Sequence, residues 1–493
     1  MTIPLILLGL TAIFALLLGI GARSGHAMGL EEWTVGNRGF GAALVFLLLA
    51  GEIYTTFTFL GASGFAYGLG APAYYILAYA TLAYVIGYFL LPPVWTYAKR
   101  HHLVSQPDFL AHKYDSPALG IVVSLVDIIA LIPYLVLQLT GLGIIVGAAG
   151  YGGISNTVAV LIGAGVVTVY VIVSGVRGSA WTAVAKDIMI LAVVLFLGTY
   201  LPIHLYGGIG PMFTDIAKAK PGFLIFPDKG QSVWWFASTV LLTALGFFMW
   251  PHSLASCYTA RNAGVFRKNA IVLPIYQLIL LFVYFVGFAA VLKVPGLKGA
   301  ASNLALFKLV VATMPPWAVG IVGAAGVLTA LVPGSMITMT AATLMARNLY
   351  GAYNKRASND QIVLLAKCLV PVVMAIAVFL TLTGNATIVT LLLVGYSFVT
   401  QMFPSLVASL FPRSGATRQG AMSGIVVGVV IAAWLTFSHA SIGSLMPFLP
   451  QAIKDLNVGI IALIANVAVL AVVSALTRRS TVAAAESTER HGT

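Results

Sequence analysis

Apolar runs of 18 or more residues recur from one end of this 493-residue chain to the other. Each can cross a ~30 Å hydrocarbon core as a helix. Lipid offers backbone groups no hydrogen-bond partners, so such runs must satisfy themselves internally. Thirteen spans are read, near 3–22, 41–68, 71–97, 117–149, 155–174, 178–205, 233–257, 270–293, 317–347, 362–384, 386–412, 419–438 and 456–477. Only 8% of residues are charged, against about a quarter in soluble domains. The fold class is therefore all-α, polytopic and membrane-embedded. Residues 1–480 read as one transmembrane domain, and 481–493, rich in Ala, Ser and Thr, as a disordered cytoplasmic tail. The first run, "MTIPLILLGLTAIFALLLGIGAR", has no basic residue ahead of its apolar stretch, so it reads as a retained helix rather than a signal peptide.

The net charge of +13 comes from basic residues distributed by side of the membrane. All thirteen arginines fall on one face of the thirteen-span arrangement; with Lys99, Lys113, Lys268 and Lys355 that face has 17 basic residues, against seven on the other. Positive residues favour the cytoplasmic side, which places the N-terminus outside and the C-terminus inside. That pattern points to a lipid bilayer and not to nucleic acid. Cys257 and Cys368 have neither metal-ligand nor disulfide-framework spacing. No GxxxxGK[ST] loop occurs, which argues against ATP-driven transport, and no clustered catalytic set argues for an enzyme. No cofactor is expected. Between spans, 206–232 reads as a Gly/Pro-rich external lid and 97–115 as a cytoplasmic interfacial helix.

Two spans are interrupted. In "FLLLAGEIYTTFTFLGASGFAYGLGAP" (46–72), Glu52 stands mid-span beside Gly51 and ahead of a run of threonines. In "STVLLTALGFFMWPHSLASCYTAR", Gly246 is followed by Pro251 and His252. Each opens one half of the chain, and each half has an unusually long span third, 117–149 and 317–347. Paired interruptions at matching positions of two repeats mark a transporter site near the bilayer midplane. A single glycine in a membrane helix more often serves only close packing; two interruptions, one carrying a carboxylate, favour the transporter reading.

Four segments, "SQPDFLAHKYDSPAL" (105–119), "VYVIVSGVRGSAWTAVAKDIMIL" (169–191), "GFFMWPHSLASCYTARN" (246–262) and "FPSLVASLFPRSGATRQGAMSGIVVG" (403–428), together resemble the sodium:solute symporter family and, less closely, its branch of bacterial monocarboxylate permeases. The resemblance implies a leucine-transporter-type fold of two inverted five-helix repeats. Here these are 41–205 and 233–412, preceded by an extra helix at 3–22 and followed by two at 419–477. It implies a sodium site built from backbone carbonyls at the positions of Gly51 and Tyr54 and from two adjacent hydroxyl residues further along. This chain has Val332 and Pro333 at that hydroxyl pair, and Ala183 where the family has an acid. Pro333 frees the carbonyl of Thr329, so any metal site is reduced to a weak one at Gly51, Tyr54 and Thr329. A hard cation needs several oxygens.

A carboxylate at mid-bilayer costs several kcal/mol unless paired or hydrated, and such residues usually line a pathway. Glu52 is therefore the leading ion-coupling candidate, as a proton carrier in place of or beside sodium; a structural ion pair with Lys186 and a cation-site carboxylate are the alternatives. Asp187 joins Gly51, Tyr54 and Thr329 as a secondary ion-coupling candidate, and Asp127 reads as structural. The substrate pocket is expected between the interrupted helices, from Thr55, Thr56, Phe59, Phe247, Trp250, Tyr396, Thr400 and Gln401. For each aromatic, ordinary packing is an equal reading. His252, next to a proline, reads as a capping or packing residue. The function expected is a symporter importing a small organic solute, a monocarboxylate first and an amino acid second, across a bacterial plasma membrane. A channel lacks its continuous polar stripe here, and a sensor its signalling domain.

Overall fold

The computed structural model describes residues 3–23, 29–438 and 440–491. Among them the secondary structure is helical, with one isolated bridge between Phe40 and Ala260. Among the described residues ten helices are long and apolar enough to cross a membrane, and two further pairs qualify as bent spans. Large apolar side chains such as Phe89, Phe379 and Phe437 are exposed on them, as lipid contact demands. This is a multi-pass membrane protein.

The first bent pair is Ala42–Ile53 and Phe57–Leu69, meeting at 45°. The helix gives way at Tyr54, where ψ turns to 76°. Threonines replace the lost backbone bonds. The Thr58 hydroxyl accepts from Thr55 N at 3.0 Å and donates to Ile53 O at 2.7 Å, while Thr55 Oγ1 accepts from Phe57 N at 3.1 Å. Short hydroxyl side chains compete with helical bonding in this way, and in lipid the substitution is obligatory.

The second pair, Val233–Met249 and Pro251–Tyr258, bends by 50°. Its cause is Pro251, which lacks an N–H and pushes the preceding residue out of the helical region; Trp250 is extended, at φ −63° and ψ 126°. The break falls at Trp250 and not at Gly246, whose φ and ψ (−79°, −12°) are helical. A side chain on Gly246 would collide with Thr400 Oγ1 and the Tyr396 ring, so this glycine serves close packing.

Residues 156–206 keep helical bonding throughout except at Gly175, with φ +62° and ψ −169°. The Tyr170 hydroxyl donates to Thr182 Oγ1 at 2.8 Å, although a straight helix would separate residues twelve apart by about 18 Å. The chain therefore doubles back at Gly175. Arg177 fastens this hairpin through Glu32, at 2.6 and 3.1 Å. The two long helices, Pro117–Ala149 and Pro316–Thr343, run on through Pro133 and Pro333. The first helix, Ile3–Arg23, packs against the hairpin and against Pro316–Thr343.

The segment 206–232 contains a helix, Ile209–Ala219, and then passes Phe223 so close to Gly70 that a side chain there would strike the Phe223 carbonyl. In 97–115, helix Gln106–Lys113 is capped by Ser105, and its Asp108 holds Arg347 at 3.1 Å and Asn348 at 2.8 Å. Helix Val458–His491 continues through 481–491, where composition reads as a disordered tail. Ala and Glu in "TVAAAESTER" are good helix formers, and extending a formed helix avoids the nucleation cost.

Gly175 sits in a backbone region that only glycine adopts freely, at a cost to other residues of about 1–3 kcal/mol. Gly175→Ala should lower the melting temperature of the detergent-purified protein, measured by the fluorescence of thiol-reactive or intrinsic probes. An unchanged melting curve would show that the hairpin does not depend on this conformation.

Candidate functional site

The two breaks meet. Glu52, the next-to-last residue of Ala42–Ile53, is buried and receives hydrogen bonds from two serines of Pro251–Tyr258: Ser253 Oγ, and Ser256 Oγ at 2.6 Å. Residues three apart on a helix share a face, so both hydroxyls reach one carboxylate. The Tyr134 hydroxyl adds a bond of 3.4 Å to the Glu52 carbonyl, and the Tyr134 ring lies 4.8 Å from that of Trp250 at the second break. Glu52 thus ties the N-terminal half of the first broken helix to the C-terminal half of the second.

Lys186 is fully buried and reaches the first break from another helix. Its ammonium donates to Gly51 O at 3.0 Å and Tyr54 O at 3.3 Å, and Asp187 Oδ1 is 2.9 Å away. Neither Asp187 oxygen accepts a well-directed hydrogen bond, because neighbouring residues on a helix point apart; the pair is an ionic contact. Lys186 therefore pairs with carbonyls and Asp187, not with the Glu52 carboxylate.

Around the breaks stands a chain of rings. Trp250 lies 5.3 Å from Tyr396, Tyr396 is 5.8 Å from Tyr79, and Phe247 is 5.6 Å from Tyr84. Thr56 Oγ1 donates to Gln138 Oε1 at 2.6 Å, and among the described residues Gln138 Nε2 is buried without a hydrogen-bond partner; the Trp250 indole N–H is directed at the Tyr396 hydroxyl. Gln138 Nε2 is thus a donor with capacity to spare.

The residues expected from the sequence divide accordingly. Glu52, Gly51, Tyr54 and Asp187 gather at the first break; Thr55 and Thr56 lie within it; Trp250, Phe247 and Tyr396 form the ring cluster. Thr400 packs on the second broken helix, donating to Leu242 O at 3.2 Å. Phe59 faces Phe307, 6.2 Å away. The Thr329 hydroxyl bonds its own helix at Gly326 O, 2.6 Å. Gln401 turns from the breaks toward the last helices, donating to Ser397 O and Gly459 O and accepting from Asn466 at 3.1 Å. His252 is buried, its ring 5.2 Å from Tyr134, and Asp127 is buried with no side-chain hydrogen bond among the described residues. Ser253, Ser256, Tyr134 and Gln138 were not anticipated. The serine pair had a signal, its three-residue spacing just after the break; Gln138, one turn beyond Tyr134, had one only once that face was known to meet Thr56.

Comparison with known proteins settles the family. The model of the sodium:solute symporter family matches residues 33–428, and a Bacillus subtilis (strain 168) protein named uncharacterized symporter YhjB is 59% identical over 486 residues, covering 99% of both chains. The chain belongs to the sodium:solute symporter family. Within this family, a monocarboxylate transport permease protein of Rhizobium johnstonii is 31% identical, covering 91% of this chain and 90% of its own. A solved structure of a Na+-coupled sialic acid symporter in a substrate-bound outward-open state superposes with a TM-score of 0.80 at 16% identity, over 97% of this chain and 98% of that one. The fold is thus a transporter fold of the leucine-transporter type, and family membership makes the chain a symporter and not an enzyme.

Removing a donor from a buried carboxylate costs about 1.5–3 kcal/mol. Ser253→Ala with Ser256→Ala should therefore lower thermal stability clearly. Adding Glu52→Gln to that pair should cost less than Glu52→Gln alone, because the serines no longer depend on the charge. Melting curves of the four proteins test this; strict additivity would show that the serines do not hold the carboxylate.

Proposed function

We propose that this symporter imports a small organic solute, a monocarboxylate before an amino acid, by alternating access and with coupling to a cation gradient. The observation that carries the reading is the meeting of two helix breaks around one clasped carboxylate, with rings and an unspent Gln138 amide donor beside it. Paired broken helices are how such transporters build a midplane site. Gln138 Nε2 is suited to receive a carboxylate without a positive side chain, helped by the exposed amides of the helix ends. The name of the relative at 31% identity agrees with that choice.

Dividing 156–206 at Gly175 and taking each bent pair as one span gives thirteen crossings. With the arginines on the cytoplasmic side, the N-terminus is outside, the C-terminus is inside, and the protein sits in a bacterial plasma membrane. In that orientation Glu52, Ser253 and Ser256 all belong to the cytoplasmic halves of their helices. The clasp then closes the inward path, and its opening accompanies release. Coupling runs through a proton carried by Glu52, with sodium as the alternative.

Counterflow in proteoliposomes, run against a panel of small monocarboxylates and amino acids, tests the substrate class. Monocarboxylates should exchange, and exchange of amino acids alone would overturn the choice. Glu52→Gln tests the coupling. The amide keeps the shape and neutrality of the protonated acid but releases no proton, so net uphill uptake should collapse while substrate-for-substrate exchange survives. Loss of both together marks a structural clasp, and a raised half-saturating sodium concentration with coupling intact marks a cation site. Retained proton-driven accumulation would remove Glu52 from the coupling role.

A further inference from the structure

The first break creates an electronegative point that a cation must answer. Thr55 N, the helical partner of Gly51 O, is turned away to Ile53 O at 2.9 Å and Thr58 Oγ1 at 3.0 Å. Gly51 O and the neighbouring Tyr54 O are left facing Lys186, with the Asp187 carboxylate beside them. An unpaired carboxylate and free carbonyls together are untenable in a low-dielectric interior.

Lys186 answers all three. An ammonium has three N–H groups and no acceptor, and three oxygens stand around Nζ at 2.9, 3.0 and 3.3 Å. There is no space left over. A Cβ built on Gly51 would lie 3.1 Å from Nζ, so even the backbone opposite is bare to admit it. Among the described residues Lys186 Nζ bonds no hydroxyl of Pro316–Thr343, the helix packed against its own. The hydroxyls of Thr329, Ser335 and Thr338 are each turned back onto their own helix, at Gly326 O, Val332 O and Gly334 O, and Ser335 also meets Ser179 at 2.9 Å.

We propose that the Lys186 ammonium is the resident cation of the first helix break, a tethered charge that fills the position a free metal ion would take and makes the carrier indifferent to sodium there. A hard metal ion needs several oxygens about it; this point supplies three, and a compact ammonium on a long stem already spans them. Lys186 is thus the residue that decides ion specificity at this position. The inference rests on the symporter reading above and concerns its driving ion alone.

The test uses the full-length purified protein in two measurements. Sodium is titrated against choline at constant ionic strength and pH while thermal stability is followed, with no substrate present. The wild type should show no saturable shift, and counterflow of whichever solute the panel identifies should run equally in either salt. Lys186→Ala strips three buried oxygens of their cation. Counterflow in choline should then fall by on the order of 100-fold, as expected when one partner of a buried charged set is removed, and sodium should now stabilise the protein saturably. Lys186→Met keeps the stem's bulk and guards against a simple packing defect: it should lose transport as Lys186→Ala does. A saturable sodium shift or a tenfold loss of counterflow in choline for the wild type would overturn the proposal, whether or not either variant folds. So would full activity of either variant in choline. If no panel solute is exchanged, the substrate reading fails, while the sodium titration still decides the role of Lys186.

Discussion

A helix that breaks inside lipid must find new partners for every backbone group it frees, and that requirement organises this protein. The first break does so from within, by threonine hydroxyls standing in for amides, and from outside, by an ammonium delivered from another helix. The second is created by Pro251, which removes a donor rather than redirecting one. Everything near the centre follows: a lysine that could not otherwise be buried has oxygens to bind, and a carboxylate that could not otherwise be buried has two serines.

These two solutions give each charge its own set of hydrogen-bond partners. Glu52 and Lys186 meet the same short segment with different hydrogen-bond partners, two serines for the carboxylate and two carbonyls for the ammonium. One charged group joins the two broken helices to each other, and the other joins the first of them to the hairpin that turns at Gly175. The segment from Gly51 to Thr58 is therefore held from two directions, which is the arrangement needed if the halves of the molecule are to rock about it.

Much of this could be read in the chain. Hydrophobic run length exposed the spans, and Glu52 and Pro251 exposed the two interruptions, because a charge or a missing donor in lipid is costly enough to be noticed without a structure. What escaped depended on which faces meet. Lys186 stands next to Asp187 in sequence, and that adjacency hides its bonds to carbonyls more than 130 residues away. Gly246 reads as a hinge, yet it is a packing contact with Thr400; the same absent side chain serves either purpose. Gln401 sits in the right helix for a pocket, but its direction around that helix depends on Asn466, far along the chain. Tyr134 and Gln138 carry no signal apart from their neighbours.

The bond between Gln401 and Asn466 has a consequence beyond its own contact. Asn466 Nδ2 donates to the Gln401 carbonyl at 2.7 Å, and no side chain could fit on Gly428 without striking Gln401. Helices Ile388–Leu410, Arg418–Phe437 and Val458–His491 are thus fastened at one buried polar point, and the last two present apolar side chains such as Val430, Phe437 and Leu476 outward. A tilt of the first of these helices carries the other two with it and displaces the acyl chains packed against them. If transport tilts that helix, part of its work falls on the surrounding lipid, and the mechanical state of the bilayer becomes a term in the carrier's own energetics.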